Sequence, residues 1–220
     1  MDIVSRRVNR IAIEQLVPFP LVEQNTDASE IWGQKCQFNA GQFYLISGVS
    51  GKGKSTILHI LYGLRKDYHG SVEVDDAELS KMAPGELQLI RSQCVSMLFQ
   101  DLRLFPELTA RENIFLLPKL DEKAVLEMES MASDFGVLSF LDKKTETLSY
   151  GQRQRVAMIR SMMQPFQFLL LDEPFSHLDD GNVSLAREII VEQCRRRRAG
   201  LIMVSLGGSY GFEYDQVYQL

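Results

Sequence analysis

The run Gly48-Val49-Ser50-Gly51-Lys52-Gly53-Lys54-Ser55-Thr56 decides how this chain is read. An apolar stretch, Phe43-Tyr44-Leu45-Ile46, precedes it and a second, Ile57-Leu58-His59-Ile60-Leu61, follows. Apolar strand, glycine-rich turn and helix form the context in which G-x-x-x-x-G-K-[ST] marks a phosphate-binding loop. Gly48, Gly51 and Gly53 let the backbone bend where a Cβ would clash. Successive N–H groups can then point at a phosphate chain, and the helix starting near Lys54 adds its positive N-terminal end. Lys54 is the point charge for terminal phosphates, and Ser55 offers a hydroxyl to Mg2+.

Outward from the loop, strand and helix patterns alternate. Residues 8–16 alternate apolar and polar and read as a strand, ended by Pro18 and Pro20. Residues 23–30 read as loop and 31–39 as a second strand, so a small β-rich layer is expected beside a parallel sheet. The helix after the loop should run to about Leu64. Further on, 70–76 read as a short strand, 84–93 as a helix with Pro84 at its first position, and 94–99 as a buried strand. Helical spacing recurs over 112–117, 122–135, 150–163 and 182–198. The continuous apolar runs 166–171 and 200–205 have the character of strands buried on both faces, and 214–220 close the chain as a short strand. This alternation predicts an α/β fold with a parallel central sheet. It also predicts one domain over 1–220, with a core of 1–100 and 161–220 and a helical lobe at about 101–160.

Net charge is −5, with 24% charged and 45% apolar residues. The acidic balance argues against broad nucleic-acid binding, which needs a basic face. Cys36, Cys94 and Cys194 lack C-x-x-C spacing, and His59, His69 and His177 lack metal-ligand spacing, so a reducing compartment and no zinc site are expected. Residues 1–10 lack the apolar core of a signal peptide, and no run approaches a membrane span. A cytoplasmic protein is expected, reaching the cytoplasmic face of a membrane only through a partner. The basic run 195–198 reads as a solvated helix terminus that suits the helix dipole.

Asp172 and Glu173 end the 166–171 strand. Behind a phosphate loop, such a pair is placed to support Mg2+ through Asp172 and to orient or deprotonate water through Glu173.

In order, GVSGKGKST, MLFQD, LSYGQRQR, FLLLDEP and SHLD resemble the ATP-binding cassette (ABC) ATPases over nearly the whole chain. LSYGQRQRVAMIRSM shortly before FLLLDEP is the most specific stretch. FQDLRLFPELTARENI is most similar to the lipoprotein-releasing, macrolide-export and cell-division group. The resemblance implies a P-loop NTPase fold with a parallel central sheet, an N-terminal antiparallel β layer and an inserted α-helical lobe. It also implies an ATP-hydrolysing subunit that dimerises on ATP and drives a separate membrane permease. ATP and Mg2+ are the implied cofactors. Gly48, Val49, Ser50, Gly51, Lys52, Gly53, Lys54, Ser55 and Thr56 are then the nucleotide cradle, and Ser55, Gln100 and Asp172 the metal set. Glu173 and Gln100 act on the attacking water. Ser149, Gly151 and Gln152 cap the nucleotide bound to a second subunit, with Asp179 crossing the interface beside Glu173. A homodimer and an integral membrane partner are expected, and no nucleic acid.

Two positions depart from the family pattern. Tyr150 stands in the usual LSGGQ; it is strained if that position needs positive φ, and otherwise its ring points away, the reading favoured by the intact Ser149 and Gly151. Leu206 stands where the family has a histidine and offers no donor to a γ-phosphate. Slow hydrolysis is expected, and a slow-turnover, ATP-gated regulatory switch is the alternative function. For the adenine ring, Phe19 is the candidate stacking aromatic and Trp32 the second choice.

Overall fold

A computed structural model describes residues 7–23, 28–116 and 121–220. The readings made above for residues 1–6, 24–27 and Leu117 lie outside them. Five parallel strands form the central sheet in the order β6 (Val95–Leu98), β7 (Phe168–Asp172), β8 (Gly200–Ser205), β3 (Phe43–Ser47), β9 (Gln216–Gln219). A four-stranded antiparallel sheet follows the order β2 (Lys35–Asn39), β1 (Arg10–Pro18), β4 (Tyr68–Val74), β5 (Ala77–Glu78).

Side chains alternate across a strand, and the central strands divide their apolar residues between two cores accordingly. Leu45, Leu169, Leu171, Leu201 and Met203 face the core shared with α4 (Glu122–Asp134), α5 (Tyr150–Met163) and α6 (Asp180–Arg197). Ile46, Leu170, Ile202 and Val204 face the core shared with α1 (Lys54–Leu61), α2 (Pro84–Gln93) and the antiparallel sheet. Every residue of β3, β7 and β8 is buried, as their continuous apolar runs require. Between β6 and β7 lie α3 (Ala110–Ile114), α4 and α5.

Some boundaries differ from the sequence reading for identifiable reasons. The strand expected over 31–39 begins only at Lys35. Ser29 Oγ accepts from the N–H groups of Ile31 and Trp32 (3.1 and 2.9 Å), and Gly33 has φ +74°, which folds the segment into a turn. α1 stops at Leu61, because Gly63 takes φ +75° and Leu64 N–H donates to the His59 carbonyl at 2.8 Å. β1 runs through Pro18, which pairs with Tyr68 at the end of the strand.

The basic run is not simply solvated. Arg196 and Arg197 both pair with Glu127 of α4, Arg197 at 3.4 Å. The Arg197 guanidinium also lies over the Phe166 ring at 4.5 Å and donates to the Gln164 carbonyl at 2.7 Å. These two arginines tie α6 to the helices between β6 and β7.

Candidate active site

Strand register places the chemistry. Ser47 on β3 lies opposite Ser205 on β8, and Asp172 on β7 opposite Val204. The segments leaving β3, β7 and β8 therefore emerge together at the carboxyl edge of the sheet, where open α/β sheets bind ligands. They carry Gly48, Glu173 and Leu206. Gln100 follows β6 on the same edge.

The phosphate loop has the backbone its glycines permit. Gly51 and Gly53 take φ +83° and +92°. Gly53 is also where the loop meets the core: a Cβ there would stand 2.8 Å from the Trp32 ring and 3.0 Å from Leu21. Trp32 Nε1 donates to the Lys52 carbonyl at 3.0 Å. Trp32 is 3% exposed and buttresses the loop from below, so it is not the adenine platform offered as the second choice. Phe19 is exposed and packs on His69, ring centroids 4.9 Å apart.

Lys54 and Glu173 face each other, Nζ to Oε1 3.7 Å, both side chains almost fully buried. Lys54 Nζ also donates to the carbonyls of Gly48 (2.8 Å) and Val49 (3.1 Å). Glu173 takes φ +48°, a backbone that L residues disfavour, and its N–H donates to the Val204 carbonyl at 3.2 Å. Strain of this kind collects at functional positions. Beside it, Ser55 Oγ donates to Asp172 Oδ1 at 3.1 Å. Burial pushes the Asp172 carboxyl up to about 6; the Ser55 hydrogen bond opposes the shift and the Glu173 charge adds to it. A buried carboxylate next to a hydroxyl is a hard-oxygen donor pair that suits Mg2+.

These groups open onto a cavity of about 360 Å³, within the range of small-molecule sites. Ser50, Gly51, Gly53, Lys54, Ser55 and Thr56 line it together with Gln100, Glu173, Leu206, Pro18, Pro20 and Leu21. Leu206 is 62% exposed. Arg65 also lines the cavity, steadied by Asp67 (Nε to Oδ1 2.9 Å). No motif marked Arg65; it comes to the cavity because the chain turns back beyond α1.

Ser149, Gly151 and Gln152 lie at the start of α5. Ser149 Oγ accepts from Gln152 N–H at 3.3 Å, while Gln152 Oε1 accepts from Ser149 N–H at 2.9 Å, a reciprocal cap. Tyr150 is the first residue of the helix and is absent from the positive-φ positions, so it is unstrained. Its ring does not simply point away. The hydroxyl donates to the Gln100 carbonyl at 3.0 Å, and the ring meets His177 edge-on at 4.3 Å. Asp179 caps α6, accepting from Asn182 N–H at 2.9 Å, which holds its carboxyl below the usual value.

A family model described as ABC transporter matches residues 33–176. The chain belongs to the ABC transporter family of ATPases. This ABC ATPase is 33% identical over 193 residues to the lipoprotein-releasing system ATP-binding protein LolD of Saccharophagus degradans, covering 86% of this chain and 84% of that protein. It is 38% identical over 165 residues to the thiamine import ATP-binding protein ThiQ of Vibrio vulnificus, covering 71% and 68%. The dimeric structure of the bacterial ABC transporter cassette MJ0796 superposes with a TM-score of 0.82 at 25% identity, over 96% of this chain and 94% of that one. A bacterial Atm1-family ABC exporter with ATP bound shares the fold, with a TM-score of 0.79 at 20% identity over 97% of this chain and 37% of that one.

The ABC ATPase thus has the predicted fold, a parallel sheet with an antiparallel β layer and helices. ATP is its substrate and hydrolysis its reaction. The LolD likeness agrees with the group resemblance read in residues 99–114. The relatives are named as ATP-binding proteins of transport systems, and the slow regulatory switch finds no support among them. Among the described residues, no helix is long and apolar enough to cross a membrane.

Proposed function

We propose that two copies of this ABC ATPase sandwich two ATP molecules and drive a separate integral membrane subunit at the cytoplasmic face of a membrane. The observation that supports this most is the convergence of Lys54, Ser55, Gln100 and Glu173 on one cavity, with the Asp172 carboxyl joined to Ser55 beside it. In this reading the backbone of 48–56 cradles the phosphates and Lys54 turns from the Gly48 and Val49 carbonyls to the terminal phosphate. Ser55, Asp172 and Gln100 hold Mg2+, which when bound neutralises charge on the phosphate oxygens. Glu173, released from Lys54, accepts the proton of the attacking water.

The other half of the site comes from the second copy. The α5 N-terminus, its turn held by the Ser149–Gln152 cap, offers the Ser149 hydroxyl, the Gly151 N–H and a positive helix end to the γ-phosphate. Asp179 lies on the facing loop. The whole of 1–220 acts as one ABC domain, and the helices within 101–160 form the docking face for the membrane subunit. Phe105, Leu126 and Leu138 are exposed there, at 53%, 67% and 50%.

Light scattering with Mg2+ and a non-hydrolysable ATP analogue tests the composite site. The wild type is expected to dimerise, and Ser149→Arg to bind the analogue yet stay monomeric. Equal dimerisation of both proteins contradicts the assignment. Exchanging Leu126 and Phe105 for serine should abolish membrane-subunit binding while sparing nucleotide binding.

A further inference from the structure

Helix α5 holds the Gln100 loop at two separated points. Tyr150, its first residue, donates from its hydroxyl to the Gln100 carbonyl at 3.0 Å, across 50 residues of sequence. Arg160, near its far end, donates to the Arg103 carbonyl at 2.7 Å and to the Leu102 carbonyl at 2.5 Å. The rise of a helix separates these anchors by about 15 Å. Leu102 and Arg103 both take positive φ, at 61° and 48°, which is an unusual backbone for two consecutive residues that are not glycine. The loop carrying Gln100 is therefore carried by the helix whose first turn holds Ser149 and Gly151.

Tyr150 joins a third segment to this assembly. Its ring meets His177 edge-on at 4.3 Å, in the stretch that follows the acidic pair. A Cβ on Gly151 would lie only 3.5 Å from the His177 carbonyl, so the signature turn packs closely on that stretch. A glycine at 150, usual in LSGGQ, has no hydroxyl and no ring for either contact.

We propose that Tyr150 is a positioning residue that fastens the Gln100 loop to the signature turn, so that filling one nucleotide site moves the turn that completes the other. The inference rests on the composite two-copy site described above. A ligand that draws Gln100 toward its own cavity draws α5 with it, because the two are joined at both ends. Since the turn at the head of α5 serves the second site, the two sites become energetically coupled, and coupling of this kind is reciprocal.

The test compares wild type, Tyr150→Phe and Tyr150→Gly with Mg2+ and a non-hydrolysable ATP analogue. Analogue affinity is measured at a dilution that keeps the protein monomeric, dimer formation by sedimentation velocity, and hydrolysis as a function of ATP concentration. Tyr150→Phe keeps the ring and removes one neutral hydrogen bond. Its monomer affinity should stay within about twofold of wild type, its dimer should weaken about five-fold, and its ATP dependence should lose sigmoidal character. Tyr150→Gly, which also loses the His177 contact, should weaken the dimer further. Wild-type dimerisation and sigmoidicity in the Phe variant overturn the proposal. So does a fall in monomer affinity that matches the loss of dimer, since that is a merely structural effect. Failure of the wild type to dimerise overturns the composite site itself, a different and distinguishable outcome.

Discussion

Lys54 Nζ lies 3.7 Å from Glu173 Oε1, and the two side chains are 8% and 6% exposed. The proposed phosphate-binding cation and the proposed base for water thus form a buried ion pair. In the proposed mechanism, a phosphate that binds Lys54 competes with Glu173 and with the Gly48 and Val49 carbonyls. Glu173→Gln removes the charged competitor. It should leave ATP affinity equal or tighter while lowering kcat by about 10²–10⁴. Lys54→Ala should weaken ATP binding more than tenfold, about 1.4 kcal/mol or more. Calorimetric titration beside a phosphate-release assay separates the two variants.

The Asp172 carboxyl, pushed up to about 6 by burial, gives a pH signature. In the unfolded chain it ionises near 3.8. Between these values the native state holds the extra proton, so stability falls as pH rises. The penalty is absent below about 3.8, where both states are protonated, and complete above about 6. Asp172→Asn escapes it. In the nucleotide-free protein the variant should therefore gain melting temperature relative to wild type as pH rises through this window. A constant difference across it would show that Asp172 is not desolvated.

Leu206 lines the cavity and is 62% exposed, so its side chain has room to become a polar one. Leu206→His restores a donor toward the cavity. Turnover should rise about tenfold, the scale of about one charge-assisted hydrogen bond gained in a transition state, with ATP affinity unchanged. Steady-state kinetics on both proteins decides it; equal kcat values mean that the position does not limit hydrolysis.

Gly53 tests the buttress under the loop. With φ +92° and a Cβ that would stand 2.8 Å from Trp32, Gly53→Ala carries both backbone strain and a clash. Destabilisation of about 2–3 kcal/mol is expected, together with weaker ATP binding. Gly51→Ala has φ +83° but no neighbour within 4 Å of its Cβ, so it should lose less stability. Thermal denaturation of the two variants compares strain with and without the clash.

Much of this molecule is legible from local chemistry. The loop 48–56, the FLLLDE strand and the Ser149 cap are defined by residues adjacent in sequence, where glycine conformation, apolar runs and capping pairs leave little choice. The shortened β2 and the early end of α1 were hidden because each depends on one turn, set by Ser29 and by Gly63. Long-range contacts left no periodic trace. Nothing local predicts that Trp32 buttresses Gly53, that Arg65 reaches the cavity, or that Arg196 and Arg197 meet Glu127. Tyr150 was visible as an oddity in its motif, but its partners Gln100 and His177 belong to segments that only the folded sheet edge assembles.

If a second copy of the chain completes the site, hydrolysis depends on association of the two copies. Specific ATPase activity measured against protein concentration tests it most directly, with light scattering to report the oligomer. Activity per mole is predicted to rise with concentration as dimers form, and Ser149→Arg to abolish that rise while still binding ATP. Undiminished activity in samples that scatter as monomers would show that one copy hydrolyses ATP alone.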